Sequence, residues 1–287
     1  MYSFFQGIVN MVVKRFYLSM KMSRICLLIM LSGILFPGEG YSQSPFRSIE
    51  TRSSGLSVNM HWMQMTDASF SPLRYNGPGI DIRLLSARTY GNLRRHFHIG
   101  AKADYLLNRL DFSAGYVQPG LNWGLAVMVP EISGEDGLSY LGGSISAGTR
   151  MYRFLNEDPD HIYWATSYTV DLYYYFDYEI DRDRKVFAEL KVPVAGAVSR
   201  PSAENHYTYQ MPGFAEYVKR IHENIGFATF NKMQSVNLKL TSDLSRTRLK
   251  SVSIGYEMDF TRFTEPEPVV YFSNSLFVRI LFYAFVW

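Results

Sequence analysis

The chain has 287 residues, 47% hydrophobic and 16% aromatic but only 19% charged, which excludes a disordered or highly charged protein. Its net charge of +3 belongs to the N-terminus: setting aside Lys14, Arg15, Lys21, Arg24 and Glu39 takes four of 29 basic and one of 26 acidic residues, leaving 25 of each. The balanced remainder gives no basic surface for nucleic acid, and the single cysteine, Cys26, leaves no disulfide or thiolate metal site beyond that stretch.

Lys21 and Arg24 precede an apolar run, Ile25 to Phe36, and the small residues Gly40 and Ser42 stand at −3 and −1 of a cut before Gln43. That is the pattern of a secretory signal peptide, with Met20 or Met22 as alternative starts. An uncleaved anchor helix would need about 20 apolar residues, more than this run supplies.

From Leu56 onward apolar and polar residues alternate, the period-two mark of strands with two different faces. Leu56, Val58, Met60 and Trp62 would face lipid, with Ser57, Asn59 and His61 between them. Residues 66–78 read as a loop by their Pro, Gly, Asn and Asp content. Ile80, Ile82 and Leu84 then alternate with Asp81 and Arg83, and Phe97 to Tyr105 alternates with His96, His98, Gly100, Lys102 and Asp104. Leu121 to Val129 repeats the pattern, and residues 138–152 place Gly142, Ser144, Ser146 and Gly148 on one face. Ile162, Trp164, Thr166, Tyr168, Val170, Leu172 and Tyr174 share a face whose aromatic ends suit a membrane-interface girdle. Val186 to Val192 follows, where Pro193, lacking an N–H for a ladder, marks a bulge or strand end.

Residues 198–233 are the one long irregular stretch. Phe214, Tyr217, Val218, Ile221 and Ile225 within it are spaced as on a helix, a lid or cap over a barrel mouth or folded into the lumen. Three cleaner strands follow, the last being VYFSNSLFVRILFYAFVW from Val270. Strand formers dominate it. A strand crosses a bilayer in about 9–11 residues, but in lipid its backbone must be paired by neighbours closed into a barrel.

With Trp287, Phe285, Tyr283 and Leu281 at alternate places back from the end, this strand resembles the assembly signal of bacterial outer-membrane β-barrels. The resemblance is to the class, with no specific family. It implies an all-β fold: an antiparallel transmembrane β-barrel of about ten strands, with short periplasmic turns and longer extracellular loops. Twelve strands is the alternative, if 109–129 holds two strands and another forms near 222–232. Residues 1–42 would be an N-terminal extension and cleaved signal peptide, 43–53 a short periplasmic segment, and 54–287 the barrel. Outer-membrane lipid, lipopolysaccharide and the barrel-assembly machinery are the implied partners, with an accessory role beside a secretion or uptake system. No cofactor is implied.

The polar face carries Asp81, Arg83, Lys102, Asp104, Arg150, Asp171, Glu189, Lys191, Lys239, Glu257 and Asp259. Open aqueous channels belong to barrels of about 16–18 strands, so ion pairs filling a narrow lumen are expected over a charged pore. His96 and His98 share that face but lack a third ligand for metal. The primary reading is a non-enzymatic structural or accessory barrel, or a narrow solute channel. The alternative is a protease or lipid hydrolase at the extracellular rim, where Asp160, His161, Ser202 and His206 are candidates because a base needs only hydrogen-bond reach to its nucleophile.

Overall fold

Alternation gives every strand one apolar and one polar edge-to-face surface, and the backbone of each must find partners on both sides. The structure, a computed structural model, describes residues 50–68, 71–133, 137–156, 158–181, 184–201, 219–246 and 250–286, with only the backbone at several strand ends. The strands are β1 (Glu50–Asp67), β2 (Ser71–Tyr90), β3 (Leu93–Leu107), β4 (Ser113–Met128), β5 (Gly137–Phe154) and β6 (Asp158–Asp181). They continue as β7 (Arg184–Ser199), the short β8 (Gly226–Ala228), β9 (Met233–Arg246), β10 (Lys250–Phe263) and β11 (Val269–Val286). Consecutive strands pair antiparallel, β7 passes over β8 to pair with β9, and β1 pairs with β11. The result is a closed barrel of ten wall strands, with β8 as an appendage on β7.

Ten strands is the expected number. The two features that would have raised it to twelve resolve as one strand, β4, and as the three-residue β8. β1 begins at Glu50, inside the segment 43–53 expected to precede the barrel.

The barrel is inverted relative to a water-soluble protein. On β1, Leu56, Val58, Met60 and Trp62 are exposed outward while Ser57, Asn59 and His61 are buried inside. The same parity holds for Ile80, Ile82 and Leu84 on β2, and for Leu276 and Val278 on β11. Such an apolar outer band around a polar interior is the surface of a transmembrane barrel. β6 has 24 residues and β2 has 20, well beyond the ~9–11 needed to cross. The wall therefore continues past the bilayer at the end carrying the 200–225 connection, where Gln64, Thr66, Arg74 and Asn76 replace the apolar outer residues.

Two expectations are corrected there. Residues 66–78 are not a loop: β2 starts at Ser71, leaving only 68–70 as the connection. Tyr75 points inward, fully buried against Phe154 at 5.1 Å, and that packing outweighs the turn composition. Pro78 is tolerated because the β2–β3 ladder skips Gly77 and Pro78, resuming in the same register at Gly79–Asp104. On β6, Tyr168 and Val170 face outward as expected, but Trp164 and Thr166, of the same parity, are buried. The chain after β7 reaches this face at Tyr168, where the His222 ring stacks on the tyrosine and the two share a hydrogen bond of 2.5 Å. At His222 the long connection thus lies against the outer wall, while Arg200 at its start donates to the carbonyls of Glu265 and Glu267. Residues 219–220 are helical and 221–224 form a turn; Phe214, Tyr217 and Val218 lie outside the described residues.

Closure rests on the longest continuous ladder in the ring, from Glu50–Val286 to Asp67–Val269. Truncation after Phe282 removes the β11 partners of residues 50–53 in β1 and frees backbone groups that cost several kcal/mol each in lipid. The truncated protein is expected to lose heat-modifiable gel mobility and to be degraded before insertion. A polar substitution at Trp287 alone should only lower the yield.

Candidate functional site

The inward residues sort into three layers. At the end bearing the long connection, Tyr75, Tyr116, Tyr152, Phe154, Tyr163, Phe263 and Tyr271 join Met63, Met65, Leu106 and Met233 in one buried cluster. Tyr152 stacks on Tyr163 at 5.6 Å, Phe154 meets Tyr163 edge-on at 5.3 Å, and Tyr152 donates its hydroxyl hydrogen to Asp67. Ring pairs of this kind add about 0.5–1.5 kcal/mol each beyond the area they bury. A smaller cluster of Tyr140, Tyr173, Tyr175 and Phe187 fills the opposite end.

Between them lies a charged belt. Arg83 pairs with Asp81 on its own strand and donates to Glu257 across the lumen at 2.7 Å. Glu257 also accepts from Asn237 at 2.7 Å, and Asp81 accepts from Asn59 at 2.9 Å, which in turn accepts from Ser57. Lys102 reaches Asp259 at 3.1 Å. Arg150 donates to Thr261 at 3.0 Å and lies over the Tyr271 ring at 5.3 Å. Lys239 sits 4.7 Å from the Phe277 ring centre. Asp171 accepts from Ser146 at 2.5 Å and Ser144 at 3.2 Å, and Ser146 accepts from Asn122, whose side-chain oxygen bonds His96.

All eleven lumen-facing charges named from the sequence lie on the inward parity, Glu189 and Lys191 being half-buried and Asp81, Asp104, Asp171 and Glu257 fully so. The strand pattern also hid several partners. Asp104 meets His61 at 2.6 Å with both side chains fully enclosed. They belong to β3 and β1 and meet across β2, where Gly79 occupies the intervening position; a Cβ there would lie 2.1 Å from Asp104 Oδ1. Gly124 does the same for His96, whose Cε1 would be 2.2 Å from an added Cβ. Arg94 packs its guanidinium on Tyr175 at 3.7 Å, and Arg279 lies over Phe187 at 5.5 Å. Arg94 shares the parity of His96, His98 and Lys102, the signal that could have found it, whereas Arg279 shares the parity of the apolar Leu281 and Tyr283, which hid it.

Around the belt remains a cavity of about 160 Å³. Its floor is the small-residue face of β3 to β5, including Gly100, Gly120, Ser146 and Gly148. Among the described residues no group of three or more His, Cys, Asp and Glu is placed to hold a metal ion. Of the rim candidates, Ser202 and His206 lie outside the described residues, as do the side chains of Asp160 and His161. Of the C-terminal signal residues, Leu281 and Tyr283 carry the inward parity of Phe277 and Arg279, and Tyr283 donates to Ser251 at 3.1 Å. The side chain of Phe285, and Trp287 altogether, lie outside the described part.

The fold and its filled lumen define an antiparallel, ten-stranded transmembrane β-barrel. No protein-family profile matches the chain, and no curated protein matches it in sequence. Among solved structures, the chain is similar to the outer membrane protease OmpT from Escherichia coli at 8% identity, covering 86% of this chain and 99% of that one with a TM-score of 0.42. It is also similar to the translocator domain of the autotransporter NalP from Neisseria meningitidis at 9% identity, covering 94% and 97% with a TM-score of 0.43. Neisserial surface protein A matches at 9% identity over 79% of this chain and 95% of that one, with a TM-score of 0.32.

Removing one partner of a buried ion pair costs about 3–5 kcal/mol, because the other charge stays buried alone. Arg83→Met strands both Asp81 and Glu257 and should lower stability by that order, read from urea unfolding of protein folded into vesicles. Lys102→Met should cost less, since the Asp259 side chain is 20% exposed.

Proposed function

We propose that the protein is a non-enzymatic barrel of the bacterial outer membrane with a structural or accessory role, its lumen sealed against steady solute flow. One observation carries this reading. The aromatic cluster fills the lumen above the belt, and the principal charges of the belt are neutralised by one another or by hydroxyl and aromatic groups. A ten-stranded barrel encloses a space that side chains can fill, unlike the barrels of about 16–18 strands that leave an aqueous channel. The apolar outer band and the leader-like residues 1–42 support export to the outer membrane. Lipid and lipopolysaccharide would contact the outer wall, and the C-terminal strand would be presented to the barrel-assembly machinery.

In planar bilayers the intact protein should show little conductance. Replacing Tyr116, Tyr152 and Tyr271 together by alanine removes three rings from the cluster and should produce steady openings. Sustained ion-selective conductance by the unaltered protein, changed in sign of selectivity by Glu189→Lys, would refute a sealed lumen.

A further inference from the structure

Five prolines lie in the wall strands. Pro72 and Pro159 stand at the second residue of β2 and of β6, where the ladders shift at the strand end. Of the three inside the wall, two leave the register unchanged. At Pro78 and at Pro119 the ladder skips a pair and resumes unshifted, at Gly79–Asp104 and at Gly120–Gly148. Pro193 behaves differently. The β7–β9 ladder runs from Val186–Ser242 only to Lys191–Asn237 and stops there. Pairing returns at Gly196–Ala228, in β8. The Lys191–Asn237 register would have set Gly196 opposite Lys232, so Thr229 to Lys232 leave the sheet as a turn. Against β6 the same point shifts register between Val170 and Asp171. Val192 to Ala195 therefore lack a ladder partner on the β9 side among the described residues, and Met233 to Val236 pair only with β10.

This seam has unlike sides. Inward it borders the lumenal cavity, which is lined there by Pro193, Met233, Ser235, Lys191 and Asp171. Outward parity at the seam belongs to Val192, Ala195, Val236 and Leu238, with Val170 exposed beside it and Phe227 of β8 70% exposed above it. Two groups at the inner side are incompletely satisfied. Asp171 is 97% buried, lines the cavity, and leaves Oδ1 without a hydrogen-bond partner although Oδ2 accepts from two serines. Lys191, on the next inward position of β7, has no carboxylate within ion-pair distance among the described residues. A buried carboxylate oxygen left open is costly unless a donor reaches it. The cavity holds about 160 Å³, against the ~10–15 Å³ that a single water requires.

We propose that the seam between β7 and β9 is a side port through which the headgroup of a zwitterionic phospholipid enters the cavity. Its ammonium would donate to Asp171 Oδ1, its phosphate would meet Lys191, and its acyl chains would stay outside against the apolar seam residues. The proposal rests on the membrane reading above and deepens it by naming what the lumen binds.

The test uses the full chain with Cys26→Ser and a photoreactive p-benzoylphenylalanine at Ser235, inside the seam, or at Leu240, on the outer face. Each is folded into detergent-free vesicles of equimolar phosphatidylethanolamine and phosphatidylglycerol, or of phosphatidylglycerol alone, irradiated, and examined by intact-mass spectrometry. The expected result is lipid adducts at position 240 with both lipids, and at position 235 with phosphatidylethanolamine about tenfold above phosphatidylglycerol, the loss of one charge-assisted contact. Asp171→Asn and Lys191→Met should each reduce the adduct at 235 by about the same factor while leaving that at 240 unchanged. Adducts at 240 but none at 235 would overturn the port and leave the membrane barrel standing. Equal adducts with both lipids at 235 would overturn the zwitterion preference. No adduct at 240 would overturn the membrane reading and this proposal with it. The comparison of the two lipids in the parent protein stands even if the Asp171 variant does not fold.

Discussion

Every feature of this protein depends on one constraint: in hydrocarbon, no backbone N–H or C=O can be left to solvent. The β1–β11 ladder discharges it by joining the two ends of the sheet over the full length of both strands. Once the ring is closed, period-two alternation does the rest. Within the bilayer band the outward residues meet lipid and are mostly apolar; each inward residue meets a confined interior and must be packed or paired.

That interior is small, and its chemistry follows from confinement. Charges brought within it cannot remain solvated, so they neutralise one another across the lumen, as Arg83 does with Glu257 over 174 residues of sequence. Where a partner sits two strands away, the intervening strand carries glycine. Gly79 gives His61 and Asp104 room to meet, and Gly124 accommodates the His96 ring. Aromatic side chains, which bury large area and tolerate the polar neighbours through their hydroxyls, fill the parts of the barrel above and below the belt.

The wall is not uniform. Proline removes a donor from the ladder, and its effect depends on what the adjoining strand can do. Beside Pro78 and Pro119 the neighbours hold register and the loss is local. Beside Pro193 the neighbouring chain loops out by four residues, and the cavity reaches the wall at that place. Interrupted pairing and the open Asp171 oxygen coincide at this seam.

The sequence by itself determined the strand character, the count of ten and, on most strands, which residues share a face. These are properties of neighbouring residues, and period two exposes them in any single strand. It also marked Pro193 as a break. Only the tertiary structure decided which charges pair, because partners such as Lys102 and Asp259 are set by the barrel's closure and register. The same holds for Tyr75, whose surroundings read as a loop until Phe154 on a distant strand buried its ring. Trp164 shares the face read as membrane-facing, yet it is buried, because an alternating pattern reports which face a residue takes and not how far that face is enclosed.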